Sequence, residues 1–225
     1  MNKYLVALSA IAAALMSQTA LADMAVGLRA GTFGVGADVE MGLTKTLNVR
    51  VGYNAFSYSR TITDTDVTYD GKLKISAASA IFDWHAFNGG FRFSAGAVQK
   101  GPKVDVVGKP SSTATYELNG QTYTAAQIGS LKGTIKLGNS VAPYVGIGWG
   151  NTVDKEDRVT FLLDLGVIHT GSAKVDLTVT CNPSVPVNTC DQIRSDANAE
   201  KLKLEDDASD YEWYPVINFG IAVRF

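Results

Sequence analysis

The last fifteen residues of the chain alternate between apolar side chains and small or polar ones, and this alternation limits what the chain can fold into. The intervening positions hold residues such as Arg224, Gly220 and Asn218. A period of two is typical of a β-strand with one apolar face and one small or polar face. Such a strand needs an apolar environment on one side and a crowded polar one on the other. Its apolar positions are Tyr211, Trp213, Pro215, Ile217, Phe219, Ile221, Val223 and Phe225.

The same alternation recurs along the chain and predicts seven strands, the last one included. Bacterial single-chain barrels have an even number of strands, and residues 24–30 supply an eighth that turns near residues 31–34. The pattern therefore predicts an all-β fold: an antiparallel transmembrane β-barrel of about eight strands in up-and-down order, with short periplasmic turns and long extracellular loops. The other six strands are predicted at residues 35–43, 47–56, 78–86, 91–98, 141–149 and 161–167.

The connections between these strands alternate between short and long, as this topology requires. Leu73 and Ile75 fall in the opposite register from the apolar set that follows them, so a β-bulge is expected near Ala77. Short turns are predicted at residues 44–46, 88–90 and 154–157, and long polar loops at residues 60–72, 101–137 and 181–210.

Two of the long loops carry local structure signals. Asn119-Gly120 is a strong two-residue turn signal, which predicts a hairpin between residues 114–118 and 122–125. Residues 191–210 are acidic and rich in helix formers, which predicts a short exposed helix. Its carboxylates are interpreted as keeping the loop hydrated, with the binding of divalent cations as the alternative.

The first 22 residues have the pattern of a secretory signal peptide. Lys3 precedes an apolar run over residues 4–16, and Ala20-Leu21-Ala22 forms a small-x-small cleavage site before Asp23. A retained N-terminal anchor is the alternative, but this run is shorter than the roughly 20 apolar residues that a membrane helix needs. We therefore expect an exported protein with a single barrel domain over residues 23–225.

Composition and cysteine usage narrow the function classes further. A net charge of −2 argues against nucleic acid as a partner, and 2 His with 2 Cys leave little for metal chemistry, so no metal or cofactor is predicted. Cys181 and Cys190 flank a loop that contains two prolines. Because an exported chain meets an oxidising compartment, a disulfide between them is predicted. A metal pair is the alternative, and it lacks a nearby His or a third Cys.

Alternation alone does not say which face of the sheet meets water. Lipocalins are also exported eight-stranded barrels, but they bury apolar side chains inside and expose polar ones. Aromatic residues near the short turns favour an apolar outer face, because an interfacial girdle of aromatics is typical of membrane barrels. These are Trp84, Phe87, Phe91, Trp149, Phe161 and Phe225.

The small or polar face carries charges of both signs at broadly similar depth. An eight-stranded barrel is just wide enough inside for side chains to fill it. Paired charges are tolerable there whereas isolated ones are costly, so these residues are predicted to form an ion-pair network that closes the lumen. A gate or a catalytic site is the alternative. The predicted network comprises Asp38, Glu40, Arg50, Asp83, Arg92, Asp164 and Arg224.

No catalytic motif stands out in the sequence. His85 shares the inner face with Asp83 and is interpreted as a core histidine bonded to a neighbouring carboxylate. His169 lies further up its strand, toward lipid or the upper interface, and has only a weak His-x-x-Ser spacing to Ser172. No nucleophile elbow or nucleotide loop is present. The sequence therefore predicts no catalytic residue, with a lipid-modifying hydrolase using His169 as a remote alternative.

From Leu47 to Phe225 the chain resembles the small outer-membrane β-barrels of Gram-negative bacteria. Uncharacterised proteobacterial members share stretches such as APYVGIGWGN at residues 142–151, LDLGV at residues 163–167 and YPVI at residues 214–217. The terminal Phe225 resembles the signal by which bacterial barrel-assembly machinery recognises its substrates. The resemblance implies a fold and an outer-membrane location rather than an activity.

This resemblance frames the expected function. The leading hypothesis is a non-enzymatic outer-membrane barrel whose partners are outer-membrane lipid, lipopolysaccharide and the assembly machinery. Its surface loops would serve interaction or envelope integrity. A narrow channel or transporter for small or hydrophobic solutes is the first alternative, and a lipid-A-modifying hydrolase is the second.

Overall fold

The computed structural model describes residues 24–64, 67–99, 102–110, 115–136, 138–152 and 158–225. The predicted signal peptide and the turn at residues 154–157 lie outside these residues. The described residues form no helix that is both long and apolar enough to cross a membrane. In chain order the elements are β1 (Met24–Gly31), β2 (Gly34–Gly42), β3 (Leu47–Asp64), β4 (Val67–Trp84), β5 (Phe91–Gln99), β6 (Lys103–Pro110), β7 (Thr115–Leu118), β8 (Gln121–Thr124), β9 (Ile128–Lys136), β10 (Val141–Trp149), β11 (Val159–His169), β12 (Lys174–Cys181), α1 (Val187–Asp207) and β13 (Trp213–Arg224).

Eight of the described strands close into an antiparallel barrel, in the order β1-β2-β3-β4-β5-β10-β11-β13. The last strand pairs with the first, with Val223 opposite Val26, and β4 pairs with β5 to complete the ring. Strands that are neighbours in the ring are also consecutive in the chain, except that β6 to β9 are inserted between β5 and β10, and β12 and α1 between β11 and β13. The predicted fold class is therefore confirmed, including the first strand and its two-residue connection, Thr32-Phe33, to β2.

The outer face of the barrel is apolar. Leu28, Val51 and Phe219 are more than half exposed, at 59%, 54% and 63%. Near the short turns, Trp84, Phe87, Trp149, Phe161 and Phe225 are exposed as well. A lipocalin would bury such side chains inside, so the described barrel does not have the lipocalin arrangement.

The β-bulge predicted near Ala77 is absent from the pairing of β3 with β4. That ladder runs in one register from Leu47 opposite Trp84 to Asp64 opposite Val67. Ile75 and Ala77 are both buried, and they share the inward face with Ile81. The prediction was wrong because it assumed that apolar side chains must point outward, whereas the upper part of this lumen is itself apolar.

The long segments predicted as loops form an ordered wall above one side of the barrel. Lys103 lies opposite Lys74, and Gln99 lies opposite Ala78, so β6 continues β5 along β4 in the same register. The strands β3, β4, β6, β9 and β12 pair in that order to form the wall. The loop predicted at residues 60–72 was wrong, because residues 60–64 and 67–72 belong to β3 and β4, which stay paired beyond the apolar belt.

A helix–hairpin module, made of β7, β8 and α1, packs on the wall. The hairpin turns at Asn119 and Gly120, whose φ angles of 52° and 75° suit the predicted two-residue turn. The helix is longer than predicted and begins inside the segment between the two cysteines. The cluster that joins the three parts contains Tyr116, Leu118, Tyr123, Ile128, Val179, Ile193 and Ala197.

Candidate functional site

Three arginines and four acidic residues meet inside the barrel. They fill its lower half, the half nearer the short turns. Each lies on the inward-facing set of its strand, because side chains alternate across a strand. All of them are at most 6% exposed. We call this set the lumen cluster: Arg29, Asp38, Glu40, Arg50, Asp83, Arg92 and Asp164.

Asp164 lies at the centre of the lumen cluster and contacts all three guanidinium groups. Arg92 Nη2 donates to its Oδ1 at 2.6 Å, and Arg50 Nη1 donates to its Oδ2 at 3.1 Å. Arg29 Nη1 donates to the same Oδ2. Hydrogen bonds between ionised partners are the stronger kind, so one carboxylate of β11 ties together arginines from β1, β3 and β5.

Asp83 and the backbone of β10 complete this end of the cluster. Asp83 accepts from Ser94 and forms ion pairs with Arg50 and Arg92 at 3.1 and 3.4 Å. Gly148 leaves room for Arg92, because a Cβ there would come within 2.8 Å of the guanidinium carbon. The glycine-rich inner face of β10 therefore makes space for a large charged side chain.

Arg29 is a member of the cluster that the sequence analysis missed. It donates to Asp38, Glu40 and Asp164, and Thr152 also donates to Glu40. The available signal was the alternation in β1, where exposed Val26 and Leu28 place Arg29 on the inner face. Because residues 24–30 were predicted as a strand, alternation along that strand was sufficient to assign Arg29 to the lumen.

Arg224 and Phe225 lie at the lower end of the barrel. Arg224 is opposite Ala25 and is half-buried, and none of the cluster contacts given above involves it. The backbone N–H of Phe225 donates to the carbonyl of Met24 at 3.1 Å, and its ring is exposed. The proposed role of Phe225 as an assembly signal stays a prediction.

His85 is buried at 1% exposure, but its partners differ from those predicted. Its Nδ1 lies 3.0 Å from the carbonyl of Gly89, and its Nε2 lies 3.3 Å from the side-chain nitrogen of Asn48. The carboxylate of Asp83, near the end of β4, is instead held by arginines and Ser94. His85 thus secures the short turn after β4.

A second, apolar layer fills the lumen above the cluster. Phe33, at the tip of the β1–β2 connection, folds inward and its ring lies 5.0 Å from that of Tyr214. Glycines at 146 and 166 on β10 and β11 leave room for the Tyr144 ring. We call this set the apolar layer: Phe33, Ile75, Ala77, Ile81, Val98, Ala142, Tyr144, Ile168 and Val216.

Between the two layers lies a cavity of about 50 Å³. Asn54 Nδ2, the Tyr144 hydroxyl and Asn218 Oδ1 belong to residues that line it, and these atoms have no hydrogen-bond partner within the described protein. A cavity of this volume holds water when polar groups line it. The lumen is therefore filled at two levels with a small polar chamber between them.

His169 lies at the upper end of β11 beside an acid and a serine. Its Nε2 is 3.2 Å from Glu212 Oε2, and its ring is 4.8 Å from that of Trp213. The Ser172 hydroxyl donates to the other oxygen of Glu212 at 3.4 Å. A nucleophilic serine needs its hydroxyl against the base, whereas here the carboxylate lies between the hydroxyl and the imidazole.

The acidic residues of α1 dock the helix rather than only hydrating it. Asp196 accepts from Tyr123 and from Gln192, the latter at 3.2 Å. Glu200 accepts from the backbone N–H of Asn119, and Glu205 accepts from that of Val175, each at 3.0 Å. The predicted exposed helix is thus partly buried, because carboxylates on one face bind the hairpin and β12.

The contact between Asp196 and Tyr123 makes the stability of the helix–hairpin module depend on pH. The hydrogen bond from Tyr123 holds the pKa of Asp196 below its usual value, and the same bond raises the pKa of Tyr123 to about 12. The depressed pKa of Asp196 means that its contribution to stability is present above the ordinary Asp value of about 4 and is lost as pH falls through the lower value. The raised pKa of Tyr123 means that the contact also weakens as pH rises from about 10 toward 12.

We therefore expect the module to loosen in acid before the barrel does. Hydrogen exchange of the α1 amides, corrected for intrinsic rates, should be faster at pH 3 than at pH 6 in the native protein. Asp196→Asn should show fast exchange at both pH values. An unchanged pH response in Asp196→Asn would assign the effect to another group.

The predicted disulfide joins Cys181 at the end of β12 to Cys190 in the first turns of α1. It ties the start of the helix to the edge of the wall. Within the described residues, no group of three or more His, Cys, Asp or Glu side chains is placed to hold a metal ion.

Comparison with solved structures shows which fold this is. No protein-family model and no curated protein matches the chain. The crystal structure of Acinetobacter baumannii CarO matches with a TM-score of 0.56 at 20% identity, over 89% of this chain and 97% of CarO. CarO2 of the same organism matches with a TM-score of 0.54 at 20% identity, over 90% of this chain and 98% of CarO2. Neisserial surface protein A matches at 12% identity with a TM-score of 0.32, which supports no conclusion. The chain therefore shares the fold of the two CarO structures, a closed antiparallel barrel with eight strands in its ring.

Proposed function

We propose that this protein is a non-enzymatic integral protein of a Gram-negative outer membrane, with a lumen that does not conduct. The observation that carries the proposal is the filling of the lumen at two levels, by the lumen cluster below and the apolar layer above. A conducting pore needs a continuous wet path. The seven buried members of the lumen cluster and the packed apolar layer leave a cavity of about 50 Å³ between them in the described part of the barrel.

The outer surface supports the membrane location. The exposed belt includes Leu28, Val51 and Phe219, and exposed aromatics such as Trp84 and Phe161 lie near the short turns. This is the surface that lipid-exposed barrels present. The likeness of the fold to CarO, an Acinetobacter protein, agrees with a Gram-negative source.

The wall and the helix–hairpin module support a role at the cell surface. They are held by pairing with β4, by the Cys181–Cys190 disulfide and by the Asp196 and Glu205 contacts. A segment that is ordered by so many interactions presents a fixed surface. We infer that the outer face of the wall contacts lipid or other envelope components, and that the barrel serves as its anchor.

The arrangement around His169 favours a structural role there over catalysis. Ser172 donates to Glu212 and not to the imidazole, and Glu212 also accepts at its backbone carbonyl from Thr170. The residues at this site therefore connect β11 to the start of β13.

Conductance across a planar lipid bilayer tests the closed lumen. The purified native protein, once inserted, should give no stable discrete openings at moderate voltage, because both layers block the path. Insertion is checked in the same sample by resistance of the barrel to protease. Stable openings of the native protein would contradict the proposal and favour a narrow channel for small solutes.

A further inference from the structure

Four lysines lie side by side across four neighbouring strands of the wall. Lys74 of β4 is opposite Lys103 of β6, Lys103 is also opposite Lys136 of β9, and Lys136 is opposite Lys174 of β12. Neighbouring strands are about 4.8 Å apart, so the four positions span about 14 Å. We call them the lysine row.

The lysine row continues the outer, apolar face of the barrel. On β4, side chains at even-numbered positions point outward, and exposed Phe82 and Trp84 share that face with Lys74. The opposite face of the wall continues the lumen side, where Val179 of β12 packs against Ile193 of α1. Lys74, Lys103 and Lys136 therefore lie on the face away from the module, whereas Lys174, at the end of the row, lines an open cavity together with Glu205 and Asp206 of α1.

The height of the row corresponds to the outer edge of the apolar belt. Lys74 lies ten residues before Trp84 on β4. At a rise of about 3.3 Å per residue and a strand tilt of about 40°, this is a height of about 25 Å, which is also the height of the apolar band of such barrels. With Trp84 at one interface, Lys74 reaches the level of the headgroups at the other.

Like charges directly opposite one another on a sheet are unfavourable, and the acids nearby offset them only in part. Asp105 lies 3.0 Å from Lys103, and Asp176 lies 3.4 Å from Lys136. In the part of the chain that the structure describes, no ion pair holds either end of the row, Lys74 or Lys174.

Further residues on the same face leave its charge positive. Cross-strand pairing places Lys72 next to Asp105, and Asp70 and Lys132 on either side of Val107. With the row and Asp176, the face carries six lysines and three aspartates among the residues whose side chains the structure describes. A row of exposed ammonium groups at headgroup level is suited to an anion, and Lys binds phosphate as a point charge.

We propose that the lysine row binds the phosphate groups of the glycolipid of the outer leaflet, lipid A. The inference rests on the proposed outer-membrane location. Lipid A carries two phosphates on one headgroup, and a row about 14 Å long presents ammonium groups to both. Binding neutralises the repulsion within the row and fixes the wall at the membrane surface.

Nanodiscs that contain the full-length protein in phosphatidylcholine, titrated with lipid A and followed by native mass spectrometry, test the proposal. Removal of four charges by Lys74→Gln, Lys103→Gln, Lys136→Gln and Lys174→Gln together should weaken binding by at least about tenfold, since each basic residue near an anionic lipid surface contributes measurably. Lipid A without its phosphates should bind the native protein as weakly as lipid A binds the variant.

A matched control removes the same number of positive charges elsewhere. Lys45, Arg194, Lys201 and Lys203 lie in the β2–β3 turn and on α1, and their replacement by Gln should leave lipid A binding within about twofold of the native value. Equal losses in both variants would overturn the assignment, because they would reduce it to net charge. Equal binding of phosphorylated and dephosphorylated lipid A would overturn it as well.

The same samples separate this inference from the proposed function. A protein that fails to enter nanodiscs, and stays dispersed in water without detergent, would contradict the membrane location itself. A protein that enters nanodiscs but binds inorganic phosphate as tightly as lipid A would retain the location and refute the lipid site.

Discussion

Asp164→Asn is expected to lower the free energy of unfolding by about 3–5 kcal/mol, the range seen when one partner of a buried ion pair is removed. The carboxylate contacts Arg29, Arg50 and Arg92, and it is only 1% exposed. An amide of the same size keeps the packing but leaves three guanidinium groups with one fewer negative charge. Because all four side chains are at most 6% exposed, that imbalance is screened less than it would be at the surface.

Urea unfolding in lipid vesicles, followed by the gel-mobility difference between folded and unfolded barrel, measures this effect. Asp191→Asn on the exposed surface of α1 is the matched control, and it should change stability by no more than about 0.5 kcal/mol. Arg29→Met combined with Asp164→Asn should cost less than the sum of the two single changes, because the pair shares one contact. Full additivity would show that Asp164 acts independently of Arg29.

Opening of the lumen is expected only when both filling layers are reduced. A cluster variant, Asp83→Ser with Arg92→Ser, removes one positive and one negative charge and leaves the apolar layer intact. A layer variant, Ile81→Ala with Tyr144→Ala, leaves the ion pairs intact. Each should remain silent in planar bilayers, and the variant with all four substitutions should show discrete openings, because an apolar constriction blocks ions as effectively as a filled polar one.

A folding check and a matched control accompany this prediction. Each variant is first shown to be folded by its gel mobility without heating. A control with the same number of substitutions on the wall, at Ser59, Lys72, Thr178 and Thr180, should stay silent because these positions lie on the outer face of the wall and not on the lumen side. Openings in the cluster variant alone would show that the apolar layer does not seal, and silence of the four-fold variant would show that other residues close the lumen.

Much of the barrel followed from the sequence because its determinants are local. A period of two assigns each residue to one face of a strand, and this was sufficient to place Asp38, Arg50, Arg92 and Asp164 on the inner face. The Asn119-Gly120 turn was found for a similar reason, since only a few residues adopt its positive φ angles readily.

The errors have a common physical origin. Leu73 and Ile75 were assigned to the outer face because the lumen was assumed to be polar throughout, and the wall was taken for loops because its strands are polar on one side. Whether an apolar residue faces lipid or an apolar layer inside depends on depth along the barrel, which alternation does not encode. His85 was predicted to bond to a carboxylate because alternation places it on the same face as Asp83. Alternation does not show that its Nδ1 instead lies against the carbonyl of Gly89.

The sequence by itself determined that this chain rolls into a barrel with an apolar exterior, and it placed six of the seven charged side chains of the lumen cluster on the inner face. Only the tertiary structure decided that Arg29 meets Asp164, that β6, β9 and β12 extend the barrel as a wall, and that four lysines align across it. Alternation is fixed by neighbours along the chain, whereas the pairings that align the four lysines join residues that are 29 or more positions apart. Register is set by how all the strands close together, and it cannot be read from any one of them.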